Sequence, residues 1–128
     1  MKRILITGSR EWEDRNVIHR AISEWVRDNV PQNEVTILVH GDASRGADRH
    51  ARDFARAMWW LEEEPHPADW SWGTGAGMHR NQDMVDLGAD VCLAFIRGKS
   101  KGTRDCADKA AKAGIPVIRH VDNVTDET

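Results

Sequence analysis

Residues 1–10 read MKRILITGSR, and the interpretation of this stretch decides the fold. Ile4-Leu5-Ile6 is a short apolar run rich in β-branched side chains, the kind that forms a strand buried on both faces of a parallel sheet. It breaks at Thr7-Gly8-Ser9-Arg10, and the next periodic segment is an amphipathic helix. A strand that stops at a glycine and feeds a helix opens an α/β sheet whose ligands collect beyond the carboxyl ends of the strands. Gly8, Ser9 and Arg10 therefore fall where a ligand is expected. Gly8 lets the backbone turn and approach closely, Ser9 can donate or accept, and Arg10 offers a planar fork for phosphate or carboxylate. The alternative is a bare turn.

Downstream the same unit recurs. After a polar connector, Glu11 to Asp14 with Trp12 inside it, Arg15 to Asn29 carries Val17, Ile18, Ala21, Ile22, Trp25 and Val26 on one helical stripe, and Pro31 ends it. Glu34 to His40 reads as a second buried strand stopping at Gly41. The turn His40-Gly41-Asp42-Ala43-Ser44-Arg45-Gly46 leads into a helix with Ala47, Ala51, Phe54, Ala55, Met58 and Trp59 on one face. A short edge strand is placed at Trp60 to Glu64, against the poor strand propensity of three consecutive glutamates. Pro65 to Gly77 is a long loop with Trp70 and Trp72, and a loop of this length in a compact domain is usually functional or disordered.

Met78 to Leu87 reads as a helix with Gly88 as its left-handed cap. Ala89 to Ile96, the most apolar run, makes a central strand that ends in a third glycine turn, Arg97-Gly98-Lys99-Ser100-Lys101-Gly102-Thr103. Thr103 is the expected N-cap of a helix that stops at Gly114. Ile115 to Val121 is the last strand, and Asp122 to Thr128 a polar tail. The pattern predicts one α/β domain over residues 1–128, a Rossmann-like three-layer parallel sheet of about five strands in the order 3-2-1-4-5. In that order the turns at Gly8, Gly41 and Gly98 converge on one crevice.

Bulk properties narrow the function. The 128 residues are 40% apolar and 30% charged, so the chain is neither disordered nor fibrous. A net charge of −3 argues against broad binding to nucleic acid or anionic membrane. The N-terminal apolar run is too short for a signal peptide or a membrane span. Two cysteines, Cys92 and Cys106, fall without zinc spacing in a strand and a helix, which suits a reducing, cytoplasmic setting.

Within the crevice, helix starts and turn amides make anion sites, with Arg10, Arg45, Lys99, Lys101 and Arg104 around them. That combination suggests a phosphate-bearing ligand. No P-loop or dinucleotide-binding glycine string is present, and Gly73-Thr74-Gly75-Ala76-Gly77 follows a loop instead of a strand. Asp42 and Asp48 suit ribose hydroxyls, although Asp48 could instead complement a helix dipole. His40, Asp42, Asp48 and His50 could also gather a metal, but their spacing matches no metal motif, and no resident metal or cofactor is expected. Trp12, Trp70 and Trp72 are placed to stack on a base, while Trp25 and Trp59 read as core residues. The alternative for all six tryptophans is packing in the core or between copies of the chain, as in a homo-oligomer.

Taken in order, Thr7-Gly8-Ser9-Arg10 with Trp12, His40-Gly41 through Arg45-Gly46-Ala47-Asp48, Pro67-Ala68-Asp69-Trp70, Arg80-Asn81-Gln82-Asp83-Met84-Val85 and Gly102-Thr103 resemble the YspA-like, YpsA-related members of the SLOG superfamily. That superfamily also holds the DprA DNA-processing proteins and the LOG phosphoribohydrolases. The resemblance runs through nearly the whole chain and implies a Rossmann-like domain that binds a nucleotide or nucleotide-derived small molecule. LOG enzymes cleave the N-glycosidic bond of nucleoside monophosphates with an arginine four residues before a methionine and a glutamate three residues after a Gly-Thr pair. Arg80 with Met84 fits the first element. Cys106 stands where the glutamate would be, and Asp105, one position short, is rotated by about 100° on a helix. The Pro-Gly-Gly of those enzymes is absent as well.

Two functions from different classes follow. The first is a sensor, carrier or sequestering protein. In it Gly8, Ser9, Arg10, Gly41, Arg45, Gly46, Gly98, Gly102 and Thr103 hold the polar part of the ligand, Asp42 or Asp48 meets ribose, and Arg80 and Asn81 complete the site. The second is an N-glycosidase with Arg80 positioning phosphate or sugar and Asp48 or Asp105 as the carboxylate. Single-stranded DNA binding of the DprA kind is disfavoured by the charge balance and the missing basic stripe.

Overall fold

The computed structural model describes residues 1–122. Five strands, β1 (Arg3–Gly8), β2 (Thr36–His40), β3 (Leu61–Pro65), β4 (Val91–Arg97) and β5 (Val117–Asp122), form one parallel sheet in the order β3-β2-β1-β4-β5. Four helices connect them: α1 (Arg15–Asn29), α2 (Ala47–Ala57), α3 (Ala76–Asp86) and α4 (Lys101–Lys112). This is the expected doubly wound arrangement.

β1 is central because its alternate side chains serve two cores. Ile4 and Ile6 pack with Ile18, Ile22, Leu38, Phe54 and Phe95 on the side of α1 and α2. Leu5 packs with Val39, Met84, Val85, Cys92 and Cys106 on the side of α3 and α4. Ile4, Leu5 and Ile6 are all fully buried, and each contributes about 1.5–3 kcal/mol of transfer free energy. α1 begins at Asp14, whose carboxylate accepts from the amides of Asn16 and Val17.

The glutamate run survives in β3 because this is an edge strand with cations beside it. Arg3 grips Glu64 at 2.7 Å, which holds its carboxyl down at about 2. Burial raises Glu63, yet hydrogen bonds from His40 and Arg56 outweigh that and keep it below the ordinary carboxylate value.

Several expectations need correction. Trp59 is 67% exposed at the end of α2 and not in the core, because the chain leaves the helix at Met58 with an extended φ of −113°. Trp25 does pack against the core from a partly buried position. The loop from 65 to 77 contains a single 3₁₀ turn, Trp70–Trp72, capped by Asp69, and α3 starts at Ala76. α4 starts at Lys101, so Thr103 is buried inside the helix and Ser100 holds the N-cap position. Left-handed backbone at Gly98 (φ +64°) and Ser100 (φ +39°) completes the reversal early. Asp122, read as the first residue of the tail, is the last residue of β5, paired with Arg97; the rest of that tail, 123–128, lies outside the described residues. Among the described residues no helix is long and apolar enough to cross a membrane.

Candidate functional site

A cavity of about 390 Å³ opens at the carboxyl ends of the strands. The first turn supplies Gly8, Ser9, Arg10 and Glu11, and the second supplies Gly41, Ala43 and Asp48. Arg80, Asn81 and Met84 come from α3, Ser100, Gly102 and Thr103 from the start of α4, and Trp70 and Met78 stand at the rim. Three separate turns therefore share one cavity. Gly98, Gly46, Arg45, Asp42 and Asp105 are not on this wall.

The first two turns bond mainly to each other. A Cβ on Gly8 would lie 2.3 Å from that of Ala47, and one on Gly46 (φ +77°) would lie 2.3 Å from the Ser9 carbonyl. Both positions exclude a side chain. The first amide of α2, that of Ala47, donates to the Ser9 carbonyl at 3.1 Å, while Ser9 Oγ accepts from the Glu11 amide at 3.0 Å. In the second turn the Asp42 amide donates to His40 Nδ1 at 3.0 Å, which leaves the ring proton on Nε2 facing Glu63. The Ala43 amide donates to Asp48 at 3.3 Å, and the Gly41 amide faces the same carboxylate. Burial pushes the Asp48 carboxyl up, with His40, these amides and Arg80 opposing. Asp48 thus occupies the anion cradle of its own turn.

The third turn is open. Ser100 turns its hydroxyl back onto Arg97, accepting from the amide at 3.1 Å and donating to the carbonyl at 2.6 Å, so no side chain caps α4. The amides of Lys101, Gly102 and Thr103 have no acceptor among the described residues. A Cβ on Gly102 would meet nothing within 4 Å. The positive end of a twelve-residue helix therefore faces the cavity bare.

Arg80 and Asn81 brace these parts. Arg80 Nη1 donates to the carbonyls of Gly41 and, at 3.2 Å, His66, and its Nε donates to Asn81 Oδ1 at 3.0 Å. Asn81 Nδ2 donates in turn to the Gly102 carbonyl and to Asp105, each at 3.2 Å. Asp105 also pairs with Lys109 at 2.9 Å, which draws it off the cavity. Arg45 pairs with Glu11 at 2.7 Å on the surface, both about two-thirds exposed. Arg104 folds back on the carbonyls of Lys99 and Gly98. Arg10 has no carboxylate partner among the described residues; its guanidinium sits 5.8 Å from the Trp70 ring centroid.

The tryptophans divide. Trp12 is 5% exposed, edge-on to Phe95 at 5.5 Å, so it is a core residue and unavailable to a base. Trp70 lines the cavity, whereas Trp72 lies outside it, stacked on His79 at 4.4 Å. His40, Asp42, Asp48 and His50 do not gather: His40 Nε2 faces Glu63, and His50 Nε2 faces the Trp12 carbonyl. Sequence reasoning missed Glu11 and Ser100. Serine in left-handed backbone carries no local signal, because its composition suits an ordinary cap equally well.

A parallel sheet in this order with its cavity at the switch point defines a Rossmann-like α/β protein. The chain belongs to the YspA, cpYpsA-related SLOG family, whose family model matches residues 2–73. It is 47% identical over 127 residues to the gene 61 protein of Mycobacterium phage D29, covering 95% of this chain and 98% of that protein. The matched span holds the first two turns and Trp70; Arg80 and the start of α4 lie beyond it.

Proposed function

We propose that this protein binds a phosphate-bearing, nucleotide-derived small molecule as a sensor, carrier or sequestering protein, with the phosphate at the start of α4. The uncapped amides of residues 101–103 beside the open Gly102 carry this reading. Arg10, which has no carboxylate partner among the described residues and lies over the Trp70 ring, is a cation on the same wall. At about 390 Å³ the cavity is at the small end of the roughly 300–1,000 Å³ of ligand sites, which suits one nucleotide unit. Membership of the SLOG family supports a nucleotide-related ligand.

N-glycosidic cleavage is the second reading, favoured by Arg80 and Met84 lining the cavity together. It requires a carboxylate beside the sugar. Asp105 is held by Lys109 and Asn81, and Asp48 by its own turn, so binding without turnover has the stronger support. One experiment tests both. The protein is heated with a nucleotide panel, and each compound is chromatographed after incubation. A ligand at a hundredfold excess over Kd adds about 2.7 kcal/mol, several degrees of Tm, and leaves the column unchanged. Release of free base would select the glycosidase, and a panel without any shift would remove the phosphate site.

A further inference from the structure

The segment that carries Trp70 is bonded to itself and hardly to the rest of the protein. Among the described residues, the hydrogen bonds of residues 67–73 run only to one another and to Ala76. Asp69 accepts from the amide and hydroxyl of Ser71 at 3.1 and 2.6 Å, Trp72 donates to the Asp69 carbonyl, and Gly73 donates to that of Trp70. The chain is fastened just before the segment at His66, by the His40 carbonyl and Arg80, and α3 takes it up again at Ala76. Gly73 (φ +88°) and Gly75 lie at the exit, and a Cβ on either would meet nothing within 4 Å.

Three hollows border this segment. The cavity of about 390 Å³ and a neighbouring one of about 400 Å³ are both lined by Arg10 and Trp70, and a third of about 200 Å³ lies against Pro67, Asp69 and Trp72. A self-bonded turn with space on several sides moves as one piece. Ring contacts fasten it: Trp72 stacks on His79 at 4.4 Å, and Trp70 meets the Arg10 guanidinium at 5.8 Å. The tip of the Trp70 ring passes over Gly77 of α3, where even a Cβ would lie 3.5 Å away. A guanidinium bonds an anion through its N–H edges and a ring through its flat face, so Arg10 can serve both at once.

Resting on the phosphate reading above, we propose that residues 67–73 are a strap that closes the cavity mouth when an anion occupies the start of α4. The anion draws the fork of Arg10 toward Gly102, and Trp70 follows on the face of that guanidinium, sliding across the bare backbone at Gly77. Closure gives the sensor reading an output, because the outer surface at 67–73 then differs between the empty and the filled protein.

Hydroxyl-radical footprinting read by mass spectrometry tests this, comparing inorganic phosphate with chloride at equal ionic strength; phosphate carries no base to shield the indole directly. A thermal melt in each buffer reports phosphate binding independently. Oxidation of Trp70 should fall at least threefold in phosphate, while Trp59, 67% exposed just before β3, stays unchanged as the internal control. A thermal shift without protection of Trp70 overturns the strap and leaves the phosphate site standing; neither shift nor protection overturns both. The latch is read without any ligand. Arg10 is exposed, so Arg10→Ala should fold, and amide hydrogen exchange over 67–73 should quicken at least threefold in it. Unchanged exchange overturns the role of Arg10 and with it the proposal.

Discussion

The second and third glycine turns begin from similar sequence and end in opposite states. At Gly41–Gly46 the chain supplies its own anion, since Asp48 takes the loop amides and the Ser9 carbonyl takes the start of α2. At Gly98–Gly102 no side chain does this, and the helix start stays bare. Glycines signal that the backbone comes close to something; the residue two places into the following helix decides whether that something is the protein itself. The first kind of turn builds the wall, and the second is left for a guest.

The largest way to break this contrast is Gly46→Ala. A Cβ there meets backbone at 2.3 Å on top of a φ of +77°, so urea unfolding should reveal a loss of about 3–5 kcal/mol. A loss below about 1 kcal/mol would mean the two turns are not locked together. Gly102→Leu is its counterpart: stability should change by less than about 1 kcal/mol, glycine being the poorer helix former, while nucleotide-induced thermal shifts disappear. Arg10→Ala should weaken a phosphate ligand by about 1.5–3 kcal/mol in a titration, and unchanged affinity would move the anion elsewhere.

Asp48→Asn sharpens the contrast through pH. The folded carboxyl lies above its usual 3.8, so the folded state binds more protons and wild-type stability falls as pH rises from there through the folded value. The variant has no such slope, and denaturation at several pH values should find it gaining on the wild type as pH rises. Parallel curves would contradict the burial of that charge. Smallest is Arg45→Ala, whose surface pair with Glu11 is worth about 0.5 kcal/mol or less, with ligand affinity preserved.

Strand order was legible from the start because it depends on the length and apolarity of runs such as Ile4-Leu5-Ile6 and Ala89 to Ile96, which only a sheet covered on both sides buries. α1 matched its predicted limits for a similar reason, its stripe and Pro31 being local features. The direction of individual polar side chains was not legible. Arg45 and Arg10 look alike in sequence, and only tertiary position pairs one with Glu11 and leaves the other at the cavity. Asp105 and Asp48 are likewise both acids near a helix start, but a lysine one helical turn on claims the first. Trp12 and Trp59 exchanged their expected places because neither helical spacing nor nearness to a turn says which way a chain leaves an element.

The uneven distribution of indoles gives the protein a built-in optical gauge. With six tryptophans and no tyrosine, emission excited near the red edge of its absorption comes from indole alone. Trp70, 58% exposed at the cavity mouth, emits from water until something displaces that water, while Trp12, shielded against Phe95, reports only on loss of the fold. Occupancy therefore acts on the exposed signal, which Trp70 shares with Trp59 and Trp72, and unfolding on the shielded one, without a label.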